Sequence, residues 1–381
     1  MRDRIAGAWR TLKTFAHLRR VHDVPLSHSV PDFLTFRRLL GARRGDFLTL
    51  WLWDRSLPMA ERLRFLCDDD RLALEHLFSP KAERRAVRDK ARVSEILEQA
   101  GIATPPTLAV IRPSGDPVTH HRVLARPEDL EDALGTPLPH GLVCKPNFGI
   151  AGHDVQVFVS ADRNGLVHRD GTSWSLERLW NLCGQHGQDA TYAGEPIAWK
   201  LEHRIPPAPM LDRIHGPTLG CLRIVTFRRA DGRLQTTPLT WKIPSGSTGI
   251  DNVSTGSFTA AVDPSTGLVG APLDQATMTW HTHHPETGHT LEGLHLPMAA
   301  AAVALALRAA ECFPALCSLG FDVGLGSDGP TIVEVNPYWG AWFMQAPHRR
   351  GLIQGAFLEF LEEIGAEPHL RLANRGLQPM R

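Results

Sequence analysis

Apolar residues recur at helical spacing through the first 80 residues. Trp9, Leu12, Phe15 and Ala16 form one stripe, and Phe33, Phe36, Leu39 and Leu40 form another. The run Phe47–Trp53 (FLTLWLW) predicts a buried helix. The basic, amphipathic start reads as a helix packed on its own domain rather than on a membrane. Lys81–Gln99 reads as one long helix, ended by Gly101 in the position that helix C-termini favour. After Thr104-Pro105-Pro106 the period shortens to that of a strand, Thr107–Ile111, and Pro127–Leu134 makes a short helix with an acidic first turn.

From about residue 141 strands and turns take over. Leu142–Lys145 and Val155–Val159 flank a glycine-containing loop, Asn147–Gly152. Pro196–Leu201 is a further strand. Leu222–Phe227 and Leu234–Trp241 form a hairpin across Asp231-Gly232, and Gly320–Leu325 and Thr331–Val335 another across Asp328-Gly329. Pro297–Phe313 and Gly351–Ile364 are helices. The elements predict an α+β chain in three parts: a mainly helical region 1–82, a lid-like part 83–200, and a C-terminal part 201–381.

Composition narrows the function classes. The chain has 381 residues, with 41 basic and 41 acidic side chains, so no net charge points to nucleic acid or a membrane surface. The six cysteines show no C-x-x-C pair, and scattered thiols fit a reducing compartment. There is neither an apolar run of spanning length nor the apolar core of a signal peptide, so the expected location is the cytoplasm.

Chemistry concentrates in a few places. In GFDVGLGSDGPTIVEVNPYWG (320–340), Glu334 and Asn336 stand two apart on a strand and share a face, with Val333 and Val335 on the other. The hairpin brings Asp322 beside them. Two carboxylates and an amide oxygen are hard donors of the kind magnesium takes; a solvated polar strand edge is the alternative. In VCKPNFGIAGHDV (143–155), Lys145 ends a strand before the loop carrying Gly149 and Gly152. Such a loop can close over phosphates, or be an ordinary hairpin. Lys90, alone on its helix, reads locally as a solvated side chain. Arg223 in LGCLRIVTF needs an anion, either a structural carboxylate or a phosphate. Lys242 and Asn252 sit in WKIPSGSTGIDNVSTGSF, a small-residue, hydrogen-bonding segment. The four histidines of HTHHPETGH (281–289) read as a plain polar loop rather than a zinc site.

In this order the motifs resemble the ATP-grasp superfamily: Lys90 with GIATPP, Lys145 with its glycine loop, a hinge at WKLEH (199–203), and the final D…E-x-N set. LGCLRIVTF, GIDNVSTGSFTAAVDPSTG and HPETG…GLHLP resemble more specifically its sugar-transfer-associated branch, related to α-L-glutamate ligases. The resemblance covers about residues 80–360. It implies an ATP-grasp fold, two α+β subdomains clasping ATP, behind the helical N-terminal region. It implies Lys90 and Lys145 on the phosphates, the backbone of 199–203, Lys200 and Leu201 among it, on adenine, Glu202 on the ribose, and Asp322, Glu334 and Asn336 on one or two Mg2+, which Mn2+ can replace. Arg223, Lys242 and Asn252 become the catalytic set. Many such ligases carry an arginine two residues before the first metal carboxylate, where this chain has Gly320. The implied activity joins a small carboxylate to an amine or other nucleophile through an acyl phosphate. The alternatives are a phosphotransferase acting on a hydroxyl, or a non-catalytic nucleotide binder. A homodimer is also among the expectations.

Overall fold

The structure, a computed structural model, describes residues 2–113, 119–136, 138–149, 152–185, 194–245, 257–296, 298–366 and 370, with side chains from residue 11 onward. Among the described residues no helix is long and apolar enough to cross a membrane.

Five helices lead: α1 (Arg2–His22), α2 (Leu26–Leu40), α3 (Arg44–Thr49), α4 (Met59–Arg62) and α5 (Asp68–Phe78). The run 47–53 is not one helix, because α3 stops at Thr49. Trp51 takes a left-handed φ of 54°. Its indole N–H reaches Ala346 O at 2.8 Å and its ring stacks on Trp280 at 5.5 Å. Phe15, Phe33, Phe36 and Phe47 close a core that also takes in Leu273, Met278 and Ala346, so the N-terminal region is welded to the C-terminal half.

The segment 81–99 forms two helices, α6 (Lys81–Arg88) and α7 (Lys90–Gln99), broken at Asp89. The strands of the first sheet are β1 (Thr107–Ile111), β2 (Val123–Leu124), β3 (Leu142–Pro146), β4 (Gln156–Asp162), β5 (Gly165–His168), β6 (Ser173–Trp174) and β7 (Trp199–His203), backed by α8 (Pro127–Ala133) and α9 (Leu176–Cys183). Their order is β2-β1-β7-β3-β4-β5-β6. A division of the chain at 200 falls inside β7, which ends at His203.

After α10 (Pro209–His215), the second sheet is built from β8 (Cys221–Arg228), β9 (Leu234–Thr236), β10 (Leu239–Ile243), β11 (Phe258–Val262), β12 (Leu273–Asp274), β13 (Thr279–Trp280), β14 (Ser318–Gly326) and β15 (Gly329–Asn336). The order is β13-β12-β11-β10-β8-β14-β15, with β9 also on β8. The segment read as one strand over 234–241 is split at Thr237-Pro238, since proline has no N–H for the ladder. One face of this sheet buries Leu222, Ile224, Trp241, Phe321 and Val335 under α11 (Ala299–Glu311). A last helix, α12 (Gly355–Glu363), packs by Phe357 and Phe360 against Phe227.

Candidate functional site

Sheet register positions the site. Thr240 on β10 pairs with Arg223 on β8, Arg223 with Asp322 on β14, and Asp322 with Glu334 on β15. Directly paired residues share a face, so these four form one row across four strands. Arg223 and Glu334 line a cleft of about 2620 Å3 with Asp322, Lys242 and Asn336. The hairpin contains a bulge: Asp322 pairs with Glu334 but Val323 pairs with Ile332, leaving Val333 unpaired. The apolar partners of Glu334 are therefore Ile332 and Val335; Val333 faces the cleft instead of the core.

Within the row Arg223 grips Asp322 with two bonds, Nε to Oδ1 at 2.6 Å and Nη2 to Oδ2 at 3.1 Å. Lys242 Nζ adds 3.2 Å to Oδ2. Burial pushes the Asp322 carboxyl up, but the two cations outweigh it and hold it below the ordinary range. Glu334 is more open, its side chain 25% exposed against 6% for Asp322. Asn336 Nδ2 lies 3.4 Å from Glu334 Oε2, and a half-turn of the amide puts its oxygen there instead. The chemistry of this donor set, a cleft-facing carboxylate beside an amide, fits a hard cation shared with phosphates.

The other side of the cleft brings two lysines to the same strand. Lys90 Nζ donates to Gly149 O at 2.9 Å and stands 3.5 Å from Glu334 Oε1. It is not a solvated helix lysine: burial lowers its pKa, which Glu334 partly offsets. Lys145 Nζ reaches Val333 O at 3.3 Å, the carbonyl of the bulge. It also pairs with Glu202 Oε1 at 2.5 Å.

Lys145 and Lys200 are paired across β3 and β7, and both grip Glu202 from one face, Lys200 at 2.6 Å. Burial opposes the charged carboxylate, yet the two lysines hold its pKa down. Burial likewise lowers Lys200, whose Nζ also donates to Ser94 Oγ at 2.5 Å.

Lys200 and Leu201 lie inside the first sheet. Their strand is paired with β1 on one side and β3 on the other, and the two residues are 1% and 0% exposed. Glu202, His203, Arg204 and Ile205 are the hinge residues that meet the cleft. Gly149 and Gly152 both border the cleft, Gly152 with a left-handed φ of 68°. Asn252 lies outside the described residues. His284 is a structural group: Nε2 donates to Pro244 O at 2.8 Å, and Nδ1 accepts from the amides of Glu286 and Thr287.

Sequence reasoning missed Asp89 and Asn147. Asn147 is wholly buried; its Oδ1 accepts Ala91 N at 2.8 Å and its Nδ2 donates to Asp89 Oδ1 at 2.9 Å. Asp89 caps α7 by accepting Arg92 N at 3.0 Å. The pair locks the start of α7, and with it Lys90, to the base of the glycine loop. An aspartate three residues before a helical N–H is a readable capping signal, but its asparagine partner, 58 residues on, is not.

A sequence profile described as sugar-transfer associated ATP-grasp matches residues 70–359. The chain belongs to this family, and its fold is the ATP-grasp fold of α+β class. No curated protein matches it. Among solved structures it is similar to D-alanine–D-alanine ligase from Bacillus anthracis, at 16% identity and a TM-score of 0.40, over 81% of this chain and 77% of the other. It is also similar to biotin carboxylase in complex with β,γ-ATP from Campylobacter jejuni, at 10% identity and a TM-score of 0.43, over 76% of this chain and 54% of that one. VanG D-Ala:D-Ser ligase from Enterococcus faecalis gives 9% identity and a TM-score of 0.41, over 75% and 63%. Likenesses this distant carry no argument about chemistry.

Proposed function

We propose that the chain is an ATP- and magnesium-dependent carboxylate–amine ligase working through an acyl phosphate in the cytoplasm. The observation that supports this best is the convergence at β15: Lys90 and Lys145 come from the first sheet's side of the cleft onto the strand that carries Glu334 and Asn336. One cation against a metal-type carboxylate and a second against the neighbouring carbonyl of the same strand suit a triphosphate whose charge must be neutralised.

In this reading Lys90 and Lys145 bind phosphate oxygens, and Gly149 and Gly152 allow the loop to approach the nucleotide closely. Bound at Glu334 and Asn336 in the row with Asp322, magnesium supplies charge neutralisation. A substrate carboxylate oxygen attacks the γ-phosphorus and the bond to the bridging oxygen breaks, releasing ADP. An amine then attacks the acyl carbon, loses a proton and expels phosphate. Arg223 and Lys242 stabilise the charge on the transferred group. Closure of the loop keeps water from the acyl phosphate.

Hydroxylamine trapping tests this directly. Incubation with ATP, Mg2+, hydroxylamine and a panel of small carboxylic acids should give a hydroxamate together with ADP. Phosphate transfer to a hydroxyl acceptor with no hydroxamate from any acid would replace the ligase with the phosphotransferase.

A further inference from the structure

The cleft is larger than a nucleotide needs. Its volume is about 2620 Å3, against about 300–1,000 Å3 for an ordinary small-molecule pocket. Lys90, Lys145 and Glu334 line the part assigned above to the nucleotide. A second arm is walled by the N-terminal helices, through Leu12, Phe33 and the α2–α3 connection at residues 41–43. Aromatic rings join the two parts. The Phe343 ring lies 5.2 Å from the Arg223 guanidinium carbon, Trp342 stacks on Phe343 at 3.8 Å, and Trp342 packs on the core that holds Phe33 and Ala42. The turn after β12 closes the same arm, since Gln275 and Ala276 line the cleft while the next carbonyl, Thr277 O, meets both histidines of α1. Resting on the ligase reading, we propose that this arm holds the non-reacting end of the substrate, and that this end carries an anionic group, a carboxylate or a phosphate, bound by Arg37 and Arg44.

Charge carries the proposal. The chain is neutral as a whole, but its first 44 residues hold ten basic and three acidic side chains. The carboxylates on the arm are already engaged. Asp69 pairs with Arg43, and Arg71 stands 3.5 Å from Asp68 and 2.9 Å from Glu75. Asp46 accepts the amides of Arg43 and Asp68 at 2.8 and 3.1 Å. Arg37 and Arg44 line the same arm, and among the described residues neither has an ion pair or a side-chain hydrogen bond. Two spare guanidiniums present the planar forks that match a carboxylate or a phosphate. Gln275 adds an independent observation. It is 5% exposed; its Nε2 donates to Thr259 Oγ1 at 2.7 Å, and its Oε1 is buried without a hydrogen-bond partner. A buried acceptor left unmatched is costly, so a substrate N–H or O–H completes it. The substrate class is therefore an extended acid with two anionic ends: one carboxylate reacts, a middle stretch with an N–H or O–H donor passes Trp342 and Phe343, and the far anion meets the arginines.

Three probes of equal length test this, carboxylic acids whose far end is a methyl, a carboxylate or a phosphonate, each in a set of chain lengths. They are titrated calorimetrically into the full chain with Mg2+ and ADP present. At its best length one anionic probe should bind at least about tenfold more tightly than its methyl-ended analogue, and which one prevails separates carboxylate from phosphate. Arg37→Gln with Arg44→Gln should cut that preference below about threefold and leave ADP affinity within about threefold of wild type. These substitutions remove no ion pair or side-chain hydrogen bond of the described fold. Equal binding of the three probes, binding of none, or a double variant that keeps the preference would each overturn the proposal. The ligase reading fails in a different way. A probe that binds with the expected preference yet gives no hydroxamate with ATP and hydroxylamine refutes the acyl phosphate and leaves the anionic arm in place.

Discussion

Asn147 makes four hydrogen bonds from a fully buried position, two through its amide and two through its backbone, to Ala198 O and from Lys90 N. Asn147→Ala leaves the Ala91 N–H buried without its acceptor, which should cost about 1–3 kcal/mol. Urea unfolding checks this, and an unchanged midpoint would mean that the lock is dispensable. His215 gives a pH signature. Burial is the main reason that its pKa falls from 6.5 to about 4, and its Nε2 has no hydrogen-bond partner to accept from a charged ring. The unfolded chain takes up this proton below pH 6.5, whereas the folded one resists it. The stability tied to a neutral His215 is thus present above pH 6.5 and lost as the pH falls toward 4, by about 3 kcal/mol. His215→Asn should therefore flatten the decline between those limits, measured by urea unfolding at several pH values. A parallel decline in both proteins would put the acid sensitivity elsewhere.

Among the elements, β14 and β15 show what the sequence makes legible. Alternation over 333–336 and a two-residue turn define the hairpin, and alternation puts Glu334 and Asn336 on one face. The bulge shows in the sequence only as two adjacent apolar residues, Ile332 and Val333, which do not by themselves say which of them is unpaired. The break between α6 and α7 is half legible: Asp89 is a readable cap, but the Asn147 amide that holds it comes from another element. So the lysine most easily dismissed as solvated is the one held against Glu334. The FLTLWLW run failed for the same kind of reason: Trp51 is turned out of helical geometry by partners at Ala346 and Trp280. Gly320 is the element-scale test. Gly320→Ala pushes into Trp339 and should destabilise by about 1–3 kcal/mol, seen as a lower melting temperature. An unshifted melt would show that β14 can accept a side chain there.

At the scale of the molecule, three bodies of chain surround one cleft: the first sheet with its glycine loop, the second sheet as floor, and the N-terminal helices. Leu12, Phe33 and Arg37 line the same cleft as Glu334. His17 and His22 both reach Thr277 O, at 2.9 and 3.1 Å, and Arg349 pairs with Asp54. Sequence alone left the role of these helices open because an amphipathic stripe says that a face is buried but not against what. Removing residues 1–80 would expose Leu273, Met278, Trp342 and Ala346 at once. The truncated chain should bind the hydrophobic dye ANS and lose cooperative melting. A cooperative melt would show that the region is an independent appendage.

The row Thr240–Arg223–Asp322–Glu334 has a consequence for how such a protein can change. Its members are neighbours because of ladder pairing, on strands that follow in chain order as β8, β10, β14 and β15. Loops are where homologous proteins vary most freely. The turn at Ser327-Asp328 could be rewritten wholesale and the row would persist, provided that the strands kept step. A slip of one residue, by contrast, would send every member of a strand to the opposite face. The machinery is therefore robust to the commonest kind of change and brittle to a rare one. Under the proposed function, substrate preference drifts at the cleft's rim while the phosphate chemistry stays woven into the sheet.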